Sequence, residues 1–330
     1  MARTRQLTIA AATLFAVAIA GCGFGEGESN PGTATLTVTR DYGGELLLEA
    51  SEEDPAATTT VVRLLDREAE IETSYGGNFV DSIDGIESNA SDGRREDWFF
   101  YVNGYWSPIG AGEAKVEAGD RVWWDYRDWT DAYRVSAVVG SWPEPFLSGD
   151  PTNEGSGPPP TELVCLDVQE ACDIAADRLR DAGAELRELD AAGRRGEPDE
   201  VISVLVGSWE AVRSDPVAAR LERGPDISGV YGRVRRCDGA WALEPLDERA
   251  EPVAPPADAG WVAALGDGER EPTWIVSGTG TEGAVAAAES LDPESLGDRY
   301  AIAVTEAGAQ AIPADDLYSA ESGGTERSCR

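Results

Sequence analysis

The sequence predicts an α+β protein in two parts: a small mixed sheet with one helix over 33–147, then a separate α/β domain of alternating strands and helices over 162–318. Three observations predict it. Up to residue 147, apolar residues recur with period two in short runs divided by turn signals. After residue 161, continuous apolar runs alternate with stretches of helical spacing. Between them, SGDPTNEGSGPPPT at 148–161 reads as a linker with a stiff proline end.

The first element is a leader. Arg3 and Arg5 precede an apolar run, Leu7 to Ala20, that is short and Ala-rich for a membrane span and reads as a secretory signal over 1–21. Ile19-Ala20-Gly21-Cys22 resembles the bacterial lipobox, which implies cleavage before Cys22 and a diacylglycerol on its thiol. The alternative is an ordinary secreted protein with a chance cysteine. The expected location is therefore the bacterial cell membrane, lipid-anchored on its extracytoplasmic face. Residues 22–32, rich in Gly and Glu, form a flexible tether.

In the first domain, ATLTVTRD alternates as a strand does, and TTTVVRLLDRE offers Val61, Val62, Leu64 and Leu65 as one face of a short helix. FVDSIDGI, WFFYVNG, RVWWDYRD and YRVSAVVGSW follow as strands, separated by turn signals at 75–78, 91–93, Asn103-Gly104 and 118–120. In the second domain, VISVLVG is a strand covered on both faces. Residues 169–189 show helical spacing through Ala171, Ile174, Ala175, Leu179 and Ala182. GVYGRV, GWVAAL, PTWIVSG and YAIAV fit strands; WEAVRSDPVAARLE, broken near Pro216, and TEGAVAAAESL fit helices. Residues 201–234 and 272–304 share a strand–turn–helix–strand pattern that an internal duplication would give. Residues 319–330 are a polar tail.

Composition excludes several chemistries. There is no histidine, so Ser-His-Asp and Cys-His catalysis and histidine-ligated metals are absent. A formal net charge of -35 excludes nucleic acid bound through phosphate neutralisation, and reads as a solubility device rather than a calcium site. Cys165, Cys172, Cys237 and Cys329, an even set in an exported chain, imply two disulfides with three pairings open; a four-cysteine zinc site is the poorer alternative. Gly278, Gly280 and Gly283 satisfy G-x-G-x-x-G. Glu282 sits where a pyrophosphate would lie, so a tight structural turn is the expectation and no cofactor is.

The most unusual segment is 98–129, with ten aromatic residues, five of them tryptophan. Strand alternation puts Trp98, Phe100 and Val102 on one face with Val122, Trp124 and Tyr126, which are core. Phe99, Tyr101 and Trp123 take the other face, where Arg121, Asp125 and Arg127 leave Trp123 among charges and mark the face as outer, and Tyr105, Trp106 and Trp129 stand in loops beside it. Clustered Trp and Tyr on display mark a binding surface; the competing expectation is that the second domain or an edge strand covers them.

The run FVDSIDGI, then Trp98, Tyr101-Val102-Asn103-Gly104, Gly110, Gly112 and Gly119-Asp120 before Val122, Trp124 and Tyr126, resembles the transcobalamin-like C-terminal domain over about 34–135. The resemblance implies a β-grasp-like fold for the first domain and a ligand-binding role. In the animal vitamin B12 carriers this module closes one side of the corrin pocket, with the region matching 101–113 facing the ligand. It therefore implies a site at Tyr101, Asn103, Tyr105, Trp106, Gly110 and Gly112, joined by Trp123 on the same face. The carriers' helical barrel has no counterpart in this chain.

These readings converge on a non-catalytic, lipid-anchored binding protein. Its expected ligand is a small molecule, corrinoid-like by resemblance, passed to a membrane transporter. The alternative is a cell-surface protein–protein or glycan module using the same rings. No metal is expected.

Overall fold

The computed structural model describes residues 32–91, 93–150, 158–190, 201–266, 270–314 and Cys329. The signal segment, the lipidation position Cys22, most of the tether, the middle of the 148–161 linker and the tail other than Cys329 lie outside the described residues. No described helix is long and apolar enough to cross a membrane.

The first segment contains β1 (Thr33–Arg40), β2 (Glu45–Glu53), α1 (Val61–Asp66), β3 (Ile71–Ser74), β4 (Phe79–Ile83), β5 (Ile86–Glu87), β6 (Asn89–Ser91), β7 (Arg94–Val102), β8 (Tyr105–Trp106) and β9 (Arg121–Asp128). Its main sheet runs β2-β1-β9-β7-β6, with β8 paired to β7; β3, β4 and β5 form a second small sheet. β1 and β9 are parallel, and the other neighbours in the main sheet are antiparallel. The period-two pattern of β7 and β9 fixes two cores. Trp98, Phe100, Val102, Val122 and Trp124 join Leu36 and Val38 of β1 and Val61, Leu64 and Leu65 of α1 on one side. Phe99, Tyr101 and Trp123 turn to the other side, as alternation requires.

The second segment contains β10 (Thr161–Cys165), α2 (Gln169–Asp181), β11 (Leu186–Asp190), β12 (Ile202–Ser208), α3 (Trp209–Val212), α4 (Pro225–Ser228), β13 (Gly232–Cys237), β14 (Ala240–Pro245), β15 (Gly260–Leu265), β16 (Thr273–Gly278), α5 (Thr281–Glu289), α6 (Pro293–Leu296), β17 (Ala301–Thr305) and β18 (Gly308–Ile312). Seven strands form one sheet in the order β11-β10-β12-β16-β15-β17-β18. The first four are parallel and the rest join antiparallel. Helices α2 and α5 cover one face, against Leu163, Val204, Val206, Val262 and Val276. On the opposite face Val164, Leu205, Trp261, Ala263 and Ile275 pack with α3, the β13–β14 hairpin and the aromatic face of the first segment.

Several expectations change. The helical stretch ends at Asp181, because Gly183 takes φ +102 and stops it, and 186–190 adds an edge strand. Residues 133–142 form no strand of their own; only Ala137 bridges, to Tyr105. That stretch runs along the junction and delivers Val135 and Val138 to one core and Val139 and Trp142 to the other. Tyr105 and Trp106 are strand β8, folded back on β7 through Asn103 (φ +54) and Gly104 (φ +81), a two-residue turn of the Asn-Gly kind. The 201–234 and 272–304 stretches diverge: β17 re-enters the large sheet, while β13 leaves it to pair with β14. The glycine-rich motif is a packing turn. A Cβ on Gly278 would sit 2.3 Å from Ala284 N, and one on Gly283 2.6 Å from Ala259 O. The cysteines pair as Cys165–Cys172, pinning the end of β10 to the first turn of α2, and Cys237–Cys329, holding the chain end to β13.

Candidate functional site

The aromatic face divides into a buried seam and a solvent-facing rim. In the seam, Tyr101 and Trp123 lie directly opposite each other across β7 and β9. They receive Tyr300, which stands just before β17 of the second segment. Its ring centre lies 5.6 Å from Tyr101, 5.2 Å from Trp123 and 5.0 Å from Tyr42. Backbone closeness allows this. A Cβ on Gly140 would lie 2.6 Å from Arg299 N, and Gly43 leaves no room for one beside Asp298 O. Sequence alternation put Asp125 and Arg127 on this face and made it look solvent-exposed, yet both are buried.

Each buried charge has partners that make this affordable. Asp125 accepts hydrogen bonds from Thr39 Oγ1 (2.6 Å), Gly43 N (3.0 Å), Tyr42 N (3.1 Å) and Tyr300 OH (2.9 Å). Burial, the largest influence, pushes its carboxyl up to about 6; the Thr39, Gly43 and Tyr300 donors and the Arg127 charge pull the other way. Trp123 Nε1 donates to Thr39 Oγ1 at 2.8 Å. Arg127 lies 3.9 Å over the Phe99 ring and donates to the carbonyls of Ala132 (2.9 Å) and Tyr133 (3.1 Å). Tyr42 OH meets Tyr231 OH at 2.7 Å. Tyr101 OH and Arg127 Nε have no hydrogen-bond partner among the described residues.

The rim begins where the seam reaches solvent. Tyr133 is 54% exposed. Its ring meets Trp129 at 5.3 Å, Trp106 at 6.1 Å and Phe99 at 6.5 Å, each edge-on. Trp106 and Trp129 are half-buried. The Arg95 guanidinium sits 4.2 Å above Trp129, and that of Arg134 lies 5.6 Å from Trp106. Strand β7 supplies Arg95 because it starts at Arg94, earlier than the aromatic run alone implies. Arg94, its neighbour, is engaged by Asp128 (3.0 Å) and by Glu248 of the second segment (2.7 Å). Arg95 makes no ion pair with a described residue.

The site implied by the resemblance is not assembled as expected. Tyr101, Tyr105 and Trp123, with Phe99, are buried rather than displayed, because the second segment covers them. Tyr105 OH donates to Glu271 of that segment. Asn103 is a fastener: its amide donates to Asp120 Oδ1 (2.8 Å) and Gly149 O (3.0 Å) and accepts from Arg121 N (2.9 Å). Gly110 and Gly112 press on Asn78, where a Cβ on either would fall within 2.7 Å of that side chain. Of the predicted set, only Trp106 reaches the rim. Arg95, Tyr133 and Arg134 were not singled out from sequence; the signal was weak, an Arg94-Arg95 pair and a Tyr133-Arg134 dipeptide at the two ends of the aromatic stretch.

An apolar cavity lined by Leu221, Val234, Leu243, Trp261, Ala301 and Ile312 holds about 10 Å³, the size of one water. Among the described residues, no group of three or more cysteines or carboxylates is placed to hold a metal ion.

No curated protein matches the chain. A crystal structure of a Ruminococcus gnavus protein, provisionally described as metal-binding, is similar at 18% identity. The match covers 29% of this chain and 97% of that one, with a TM-score of 0.24, and carries no argument about ligand. Residues 58–128 match a domain of unknown function, DUF4430, which takes in Trp106 and stops one residue before Trp129.

Proposed function

We propose that this chain is a non-catalytic binding protein, lipid-anchored through Cys22 on the extracytoplasmic face of the membrane, that holds a cell-surface glycan at the Trp106–Tyr133–Trp129 rim. The observation that carries this is the exposure pattern. Seven of the ten tryptophans are buried, and two of the other three flank the half-exposed Tyr133. Rings held at fixed angles at the protein surface suit the faces of sugar rings and lose little entropy on binding. The β-grasp-like reading of the first segment rests on its central parallel pair, β1 with β9, beside the β1–β2 hairpin and a single helix.

The glycan form is preferred to the corrinoid form because Tyr300 fills the face that the resemblance assigns to a corrin. A transporter partner belongs to the corrinoid form alone.

The test is a tryptophan-fluorescence titration of the wild type and of Tyr133→Ala against oligosaccharides and corrinoids. Quenching by a saccharide that Tyr133→Ala abolishes, with unfolding unchanged, is the expected result. Quenching by a corrinoid that Tyr133→Ala leaves intact would overturn the proposal.

A further inference from the structure

We infer that the rim recognises an acidic saccharide, one bearing carboxylates on its rings. This rests on the glycan reading above and specifies its ligand class. The chain carries a formal charge of -35, so an anionic ligand is the last partner its overall field would favour. The rim departs from that field. Two guanidinium groups, Arg95 over Trp129 and Arg134 beside Trp106, bracket the exposed Tyr133.

A guanidinium stacked on an aromatic ring uses its face for the ring. Its in-plane N–H donors stay available, in a fork that matches the two oxygens of a carboxylate. Stacking also fixes the side chain beforehand, so less entropy is lost when the ligand arrives. Arg95 meets these conditions most fully: it is exposed, lies 4.2 Å over Trp129, and makes no ion pair with a described residue. Its neighbour Arg94 shows the contrast, being taken by Asp128, Glu96 and Glu248. A sugar ring meeting the exposed Tyr133 would lie beside Trp129 and could turn its carboxylate toward the Arg95 guanidinium above that ring.

Carboxylates near the rim oppose the ligand, and Asp131 is the one on the Tyr133 loop. It is exposed, its carboxyl raised by partial burial and by the nearby Asp128, Asp247 and Glu251. It repels an anion at the rim and so sets the sign of a second variant.

The experiment is calorimetric titration of the mature chain with oligogalacturonate and with the same oligosaccharide methyl-esterified, which keeps the ring and removes the charge. The acid form should bind, and methyl-esterification should weaken binding by about tenfold or more, as loss of a charged hydrogen bond does. Arg95→Gln should weaken the acid form to a similar extent and leave the ester unchanged. Asp131→Asn should strengthen the acid form alone, a gain that misfolding cannot imitate. Equal binding of acid and ester, insensitive to both variants, overturns the acidic-ligand inference and leaves the glycan reading standing. No binding of either, with rim fluorescence unaltered, overturns both.

Discussion

The seam and the rim are cut from one stretch of sequence and differ in what covers them. Both are built from aromatic rings with arginine over a ring face: Arg127 over Phe99 in the seam, Arg95 over Trp129 at the rim. In the seam the second segment supplies Tyr300 and Tyr231 and excludes water, so each polar atom must find a protein partner. At the rim Tyr133 and Arg95 are exposed, and the guanidinium edge faces solvent. The same residue types therefore serve cohesion in one place and recognition in the other, and variants should separate the two.

The largest effect should come from Tyr300→Ala. It removes a fully enclosed ring from between Tyr42, Tyr101 and Trp123 and takes one donor from Asp125. Loss of a buried aromatic costs about 3–5 kcal/mol. Tyr300→Phe keeps the ring and should cost about 1–2 kcal/mol, the worth of a buried hydrogen bond. Denaturant unfolding followed by tryptophan fluorescence measures both. A loss under about 1 kcal/mol for Tyr300→Ala, within the range of surface changes, would mean that the two segments merely touch.

Next comes pH. The Asp125 carboxyl is raised from 3.8 to about 6 by burial, a difference worth about 3 kcal/mol. Between those values the folded protein holds a proton that the unfolded chain has lost. Stability therefore falls as pH rises through the window, and the contribution is flat below and above it. Asp120, also raised to about 6 with desolvation as the main cause, titrates in the same window. The comparison must therefore be made against Asp125→Asn. Wild type should lose about 2 kcal/mol more than this variant between pH 4 and pH 7, the rest of the difference lying below pH 4. Parallel losses would show that water reaches Asp125 and that the seam is not sealed.

Asn103 tests a smaller claim. The resemblance placed it in a ligand site, whereas its amide ties the β7–β8 turn to Asp120, Arg121 and Gly149. Asn103→Ala should cost about 2 kcal/mol, since it strands buried partners, and saccharide affinity should be unaltered. Lost affinity at unchanged stability would return Asn103 to the binding site.

Much of this was legible in the sequence. Period-two alternation named the core face of β7 and β9 to the residue, and the run 201–207 gave a strand buried on both sides. Alternation could not say what lies against the other face. Asp125 and Arg127 read as solvent markers, because a charge in sequence looks the same whether water or Thr39 and Tyr300 satisfies it. The contact with Tyr300 joins residues 175 apart from Asp125, beyond any local pattern. The rim was half legible. Trp106 and Trp129 stood out as rings, but Arg95 and Arg134 became candidates only when the start of β7 and the 133–142 stretch were seen to carry them onto those rings.

The smallest stability effect should be at the rim, and it is the sharpest form of the comparison. Trp129→Ala removes a half-buried ring that meets Tyr133 at 5.3 Å and the Arg95 guanidinium at 4.2 Å and packs on the margin of the seam core. Both partners remain wet after truncation, so no buried polar group is stranded. A surface cation–π contact is worth about 0.5–1 kcal/mol; with the apolar area that the half-buried ring covers, Trp129→Ala should cost about 1–2 kcal/mol, well below Tyr300→Ala. Its effect on recognition should be far larger, because Arg95 loses the face that fixes its orientation, and acidic-saccharide affinity should fall about as far as in Arg95→Gln. Trp129→Phe keeps a ring beneath the guanidinium and should retain most of the affinity. Unfolding and calorimetric titration on the same preparations give both readouts. If Trp129→Ala instead unfolds as readily as Tyr300→Ala, the rim is an extension of the seam, and its rings serve cohesion alone.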